Sequence, residues 1–264
     1  MNSKLSLLLL FSLSTFFSSA TDIKELKNNA ANGDSKSQVE LGLEYLLGGI
    51  EKDQFAAKIL AVRWFRKSAL QDNAEAEYLL GECYEGGIGV EVNHVEALRL
   101  YQKSASKGNC AGQFSLGKYY EKGRLISKNI SEANRLFESS ASKGYTPAQL
   151  YIGRLYSSGK NDFKVDYSKS ETYFRMAAMQ GNAEAQYELG LLYLNGNGVK
   201  KNLVEAKAWI GLSFANDYQP AEKELMFLLH NLNKNESERA LRRTFEIKKA
   251  IEIFSKESQN RNSQ

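Results

Sequence analysis

Asn182 to Phe214 reads N-A-E-A-Q-Y-E-L-G-L-L-Y-L-N-G-N-G-V-K-K-N-L-V-E-A-K-A-W-I-G-L-S-F. Gly190 interrupts a strongly helical run. Tyr193 follows it by three residues and Gly196 by six, and a second helical run from Leu203 carries a small-x-x-aromatic pattern at Ala206 and Trp209. The unit recurs. Equivalent glycines stand at Gly42, Gly81, Gly117, Gly153 and Gly190, at spacings of 39, 36, 36 and 37 residues by subtraction. A tyrosine follows each by three (Tyr45, Tyr84, Tyr120, Tyr156, Tyr193) and a glycine by six (Gly48, Gly87, Gly123, Gly159, Gly196). In each second helix a small residue precedes a bulky one by three: Ala61/Trp64, Ala97/Leu100, Ala133/Leu136, Ser170/Tyr173 and Ala206/Trp209. A fixed period of this length is the mark of a repeat architecture.

Each recurrent position has a physical reason. Glycine inside a helix costs about 1 kcal/mol relative to alanine. Keeping it five times predicts a compensating gain, most simply close approach of the partner helix's backbone. Tyrosine at plus three shares the glycine's face and keeps its hydroxyl near water. The plus-six glycine suits a left-handed helix cap. Each unit is then a helical hairpin that buries its apolar face only by stacking on its neighbours. The predicted fold is all-α, an α-solenoid of about five helix-turn-helix repeats with terminal capping helices.

The string A-E-A-Q-Y-x-L-G-x-x-Y-x-x-G-x-G-V followed by K-x-x-x-E-A-x-x-W resembles the Sel1-like repeat family, a relative of tetratricopeptide repeats. The matching residues are Ala185, Tyr187, Leu189, Gly190, Tyr193, Gly196, Gly198, Val199, Ala206 and Trp209. The resemblance spans residues 35–218. It implies an adaptor or scaffold for protein complexes. A second role it implies, through secreted cysteine-rich bacterial members, is binding or hydrolysis of β-lactams.

Residues 1–20 read as a secretory signal peptide: Lys4, an apolar run to Phe17, then the small residues Ser18-Ser19-Ala20. A membrane anchor is the alternative, but the run is shorter than the roughly 20 residues a span needs, so no stable membrane insertion is expected after cleavage. Residues 21–34 form an N-terminal capping helix. Five repeats follow at 35–71, 72–107, 108–143, 144–180 and 181–218. The first has lost its second Gly-Val, as a distortion near the end of the stack or as a small binding feature. Residues 219–256 supply C-terminal capping helices, a short one (Pro220–Leu232) and a longer amphipathic one (Glu236–Lys256). The latter carries Leu241, Phe245, Ile247, Ile251 and Phe254, and caps the stack in preference to binding a partner. Residues 257–264 are polar and expected to be disordered.

Little in the sequence offers catalysis. His94 and His230 lie in different segments without metal-ligand spacing. The repeated G-x-G pairs lie between two helices, not after a strand, so they are not nucleotide loops. Ser104 and Lys107 make an S-x-x-K spacing without the companion motifs of penicillin-recognising enzymes. Cys83 and Cys110 start from opposite ends of parallel first helices. Nine residues of helix at about 1.5 Å each hold them farther apart than the roughly 7 Å a disulfide spans. Two thiols are expected, with Cys83 as core filler, and the hydrolase reading loses its cysteine pairs. The net charge of +4 comes from interspersed Lys and Glu without a basic stripe, so no nucleic acid is expected. No cofactor, metal or catalytic residue is assigned.

Protein binding remains, by one or more partners, in the bacterial cell envelope, periplasmic or secreted, as an envelope adaptor, an infection factor or an immunity protein against a toxin. In a secretory pathway, Asn129 and Asn235 would be glycan acceptors instead. Polar first-helix positions are the candidate contacts, on the extended concave face that such a stack offers: Glu40, Glu44, Glu77, Glu82, Gln113, Lys118, Gln149, Arg154, Gln186 and Glu188.

Overall fold

The computed structural model describes residues 20–262 except 49 and 52, so the expected signal peptide lies outside the described residues apart from Ala20. Thirteen α-helices and one short 3-10 turn occur among the described residues, with no strand. The helices are α1 (Ala20–Ala31), α2 (Ser35–Leu47), α3 (Gln54–Ala69), α4 (Ala74–Gly86), α5 (His94–Ser106), α6 (Cys110–Lys122) and α7 (Ile130–Ser142). After them come α8 (Thr146–Ser158), α9 (Tyr167–Met179), α10 (Ala183–Asn195), α11 (Leu203–Ala215), α12 (Glu222–Asn231) and α13 (Lys234–Asn262). Two compact units divide within α7, after Leu136. In the first, each helix from α1 to α6 packs on the next, and α4 also meets α6. In the second, α8 to α11 follow the same rule, and α13 lies on α11 and α9. The class is the all-α solenoid of helix pairs.

Local chemistry sets the helix ends. An Asp or Asn opens most helices, its side chain accepting backbone N–H groups of the first turn, as at Asp34, Asn73, Asn109 and Asn182. The plus-six glycines close the first helices in the left-handed region, each with a positive φ.

The mid-helix glycines do a different job from the one expected. A Cβ on Gly42, Gly81 or Gly153 would lie 2.5–2.7 Å from a ring carbon of Phe65, Tyr101 or Phe174. The glycine is a seat for an aromatic side chain, not for a backbone. Gly190 differs in bringing backbone closer than 3.4 Å, at Ile210 N and Ala206 O, and there too the nearest atom is a side-chain carbon, of Ile210. The seated residue follows the bulky one by a single position. Phe65, Tyr101 and Ile210 are fully buried and Phe174 is 1% exposed. Burying such a side chain gains about 1.5–3 kcal/mol, which outweighs the roughly 1 kcal/mol cost of the glycine.

Backbone contact occurs instead in the loops. A Cβ on Gly89 would stand 2.3 Å from Lys58 O, and one on Gly198 2.6 Å from Tyr167 C. The second glycine of these G-x-G pairs thus lets the loop rest on the preceding hairpin's second helix.

At the C-terminal end, α13 continues to Asn262, past the expected end at Lys256 and into the segment expected to be disordered. No Gly or Pro stands between Lys234 and Asn262 to stop it. Among its described side chains Ala240 and Ile247 are buried, and Ile251 packs against the core cluster that includes Trp209 and Leu212. Leu241 and Phe245 turn outward, 65% and 71% exposed.

Candidate functional site: first-helix positions and a two-walled cleft

The structure splits the ten candidate residues into two groups. Glu77, Gln113, Gln149 and Gln186 are buried, all at 8% exposure or less, so they are corrected from surface contacts to structural groups. They occupy one register position, four before the mid-helix glycine, with Gln38 as the fifth copy. Gln38, Gln149 and Gln186 donate through Nε2 to the carbonyls of Ala30, Ala141 and Ala178, at 3.0, 3.1 and 3.2 Å. In return their Oε1 atoms accept from Gln71, Gln180 and Asn216, at 2.8, 2.7 and 3.0 Å. In the second repeat the pair is ionic: Lys107 Nζ lies 2.8 Å from Glu77 Oε1 and 3.0 Å from Asp72 Oδ1. Burial alone would lower the Lys107 pKa, but its bonds to Glu77 and Asp72 raise it. Sequence alone hides this ladder, because a polar residue between apolar ones reads as an outward position.

The S-x-x-K pair belongs to the same joint. Ser104 Oγ donates to Ala74 O at 2.6 Å, and Lys107 holds Glu77. Ser68 and Ser213 make the equivalent bonds to Ser35 O and Ala183 O, at 2.8 and 2.6 Å. Both cysteines are thiols. Cys83 is 1% exposed, and burial followed by the charge of Glu82 pushes it up to about 12, which leaves it protonated and unreactive.

Glu40, Glu44, Glu82, Lys118, Arg154 and Glu188 remain half-buried at the surface. Burial raises the carboxyl pKa of Glu40 and of Glu44. Arg154 and Glu188 meet each other: the Arg154 guanidinium lies 2.8 Å from Glu188 Oε1 and 2.6 Å from Glu184 Oε1. Lys118 pairs with Glu121 on its own helix at 2.7 Å.

Between α4 and α6 lies a cleft of about 230 Å³. Glu82 and Glu85 line it from α4, and Phe114, Ser115, Lys118, Tyr119 and Lys122 line it from α6, with Arg124 just past the end of that helix. The single hydroxyl of Tyr101 stands 2.7 Å from Glu82 Oε1 and 2.8 Å from Glu85 Oε2. One proton cannot satisfy both. Neither carboxylate forms a salt bridge with a described residue. Burial, opposed by the Tyr101 bond and reinforced by Glu85, raises the Glu82 pKa. Tyr119 is 4% exposed and its buried hydroxyl has no hydrogen-bond partner among the described residues. Sequence reading singles out Glu82 and Lys118 but misses Glu85, Tyr119 and Tyr101. The only available sign is the doubled Tyr119-Tyr120, since the other repeats carry one tyrosine there.

Among the described residues no group of three His, Cys, Asp or Glu side chains could hold a metal ion. No helix among them is long and apolar enough to cross a membrane.

Hairpins joined by a buried polar ladder, with their variable groups on the first helices, define a helical repeat protein. The Sel1 repeat pattern matches residues 35–73, 74–109, 110–145, 146–182 and 183–216, and the chain belongs to the Sel1 repeat family. A Sel1 repeat protein from Oxalobacter formigenes is similar in structure, with a TM-score of 0.67 and 25% identity over 88% of this chain and 92% of that one. The protective antigen c5321 of uropathogenic Escherichia coli is similar at TM-score 0.54 and 25% identity, over 96% of this chain and 62% of its own length. In sequence, the chain is 35% identical over 66 residues to the DAP3-binding cell death enhancer 1 of Rattus norvegicus, covering 25% of this chain and 13% of that protein.

Proposed function

We propose that the protein is exported and serves as a non-enzymatic scaffold, binding one or more proteins through half-buried polar positions of its first helices. One observation carries the reading. The position after each mid-helix glycine holds Leu43, Glu82, Lys118, Arg154 and Leu191 in turn, while the buried slots around it repeat almost unchanged. In the three middle copies the charge changes from Glu82 to Lys118 to Arg154 while the side chain stays partly exposed, so there the position is available for recognition, whereas Leu43 is buried in the first copy and Leu191 packs on the core in the fifth. Sel1 repeats typically mediate protein binding. The apolar run at residues 5–17 supports export, and the bacterial origin of the solved relatives favours the cell envelope as the place of action. The contacts assigned to it are Glu40, Glu44, Glu82, Lys118, Arg154 and Glu188.

The test is affinity capture from envelope extract with mass-spectrometric identification, using the purified protein and a Glu44→Lys/Lys118→Glu variant. A partner held by the first and lost by the second, at equal melting temperature, is expected. Capture of nothing, or of the same proteins by both, would remove the reading. Fusing residues 1–20 to alkaline phosphatase tests export separately, with an active enzyme expected. A chromogenic β-lactam incubated with the protein should remain intact.

A further inference from the structure

The cleft between α4 and α6 has properties that the scaffold itself does not need. Two carboxylates, Glu82 and Glu85, share a single donor, the Tyr101 hydroxyl. A half-buried acidic pair that no cation touches is costly unless a donor or a proton compensates it. The missing partner has to be rich in N–H donors and positively charged. Tyr119 gives a second, independent sign. Its hydroxyl is buried and unpartnered among the described residues. It faces the same carboxylates: burial, then the Glu85 charge, with Arg124 opposing and Glu82 adding, pushes it up to about 12. A buried hydroxyl left unpaired costs about 1–3 kcal/mol, and an incoming N–H donor would relieve it.

Size narrows the choice. The cleft holds about 230 Å³. Pockets that take drug-sized ligands start at roughly 300 Å³, so this one is too small for them. One side chain fits it. The opposite wall, with Lys122 and Arg124 exposed at its edge, disfavours a second cation and favours an anion beside the first.

We propose that this cleft is the anchor point for a partner polypeptide, receiving one arginine or lysine side chain between Glu82, Glu85 and Tyr119, with an acidic residue next to it facing Lys122 and Arg124. The basic head donates to the two carboxylates and to the Tyr119 oxygen, so the Tyr101 proton no longer has to serve both. The ring of Phe114 lines the path of the aliphatic stem. The proposal rests on the protein-binding reading and assigns it a specific recognition element.

The test is an NMR titration of the purified, isotope-labelled protein with N-acetyl-Arg-Asp-amide. The control probe is N-acetyl-citrulline-Asp-amide, which keeps the shape and removes the charge. Saturable shifts centred on Tyr119 and the end of α4 are expected with the arginine probe, and binding about tenfold weaker or worse with citrulline, the scale of one charge-assisted contact. The Glu82→Gln/Glu85→Gln variant should lose the arginine preference. Tyr119→Phe, which keeps the ring and the packing, should weaken binding while leaving the fold intact. Equal binding of the two probes, absence of saturable binding up to millimolar concentration, or an arginine preference that survives E82Q/E85Q would overturn the proposal. A partner captured from extract whose binding ignores E82Q/E85Q would remove the cleft and leave the scaffold reading standing. Arginine-specific binding without any captured partner would do the reverse.

Discussion

Glu82 in α4 and Arg154 in α8 hold the same place, one residue past the mid-helix glycine, in the two halves of the chain. Their surroundings are opposite. Arg154 is neutralised by Glu184 and Glu188, which arrive from the next first helix, α10. Glu82 meets a second acid, Glu85, and the hydroxyl of Tyr101. Beneath both, the packing is one design: Tyr101 sits against Gly81 as Phe174 sits against Gly153. The repeat therefore fixes the seat and leaves the charge above it open. One half has balanced its charge internally, and the other has left an acidic wall unanswered.

The largest effect should come from filling the seats. Gly81→Val and Gly153→Val each force a side chain into a ring and should cost about 1–3 kcal/mol or more, read as a fall in melting temperature. Gly81→Val should also disturb the Tyr101 bridge, because the ring that must move carries the hydroxyl bound to Glu82 and Glu85. Gly153→Val should leave the Arg154 ion pairs in place. Equal melting of either variant and the parent would break the account of the fold.

A middle-sized effect is expected from the ladder. Gln186→Leu keeps the volume and strands Ala178 O and Asn216 Nδ2, at a cost of about 1–3 kcal/mol. Exposed first-helix substitutions should stay within about 0.5 kcal/mol of the parent. A Gln186→Leu variant as stable as the parent would return that residue to the surface list.

The smallest effects should have opposite signs in the two halves. Arg154→Met should destabilise by about 0.2–1 kcal/mol, less at high salt, since its pairs are partly exposed. Glu82→Gln should stabilise at pH 7. The folded chain holds the Glu82 proton at a pH where the unfolded chain has released it. The ionised group thus costs stability once the pH rises through its raised folded pKa. Below the ordinary glutamate range, near about 4.3, parent and variant should converge. Melting curves from pH 4 to 8 check this, and a parent that gains on the variant as pH rises would reverse the sign assigned to the wall.

Much of the fold was legible because its determinants are local and repeated. Gly48, Gly87, Gly123, Gly159 and Gly196 announce helix ends, and the neighbouring Asn and Asp announce helix starts. The aromatic seats were half visible: the small-x-x-bulky pattern was plain, but the residue that occupies the seat comes one position later, at Phe65, Tyr101 and Phe174. The outward face was read least well. Gln149, Gln186 and Glu77 looked like surface groups because polarity along one helix does not reveal that a neighbouring hairpin's turn will cover it.

The sequence by itself determined the period, the helix boundaries to within a few residues, and the all-α class, since capping, left-handed glycine and helical periodicity act within a few residues of one another. Only the tertiary structure decided which polar groups are interior joints and which stay half-buried at the surface. That division depends on Gln38 meeting Gln71 and on Tyr101 meeting Glu82 and Glu85. Burial and the pairing of charges are properties of groups brought together from separate helices, and no single stretch of chain carries them.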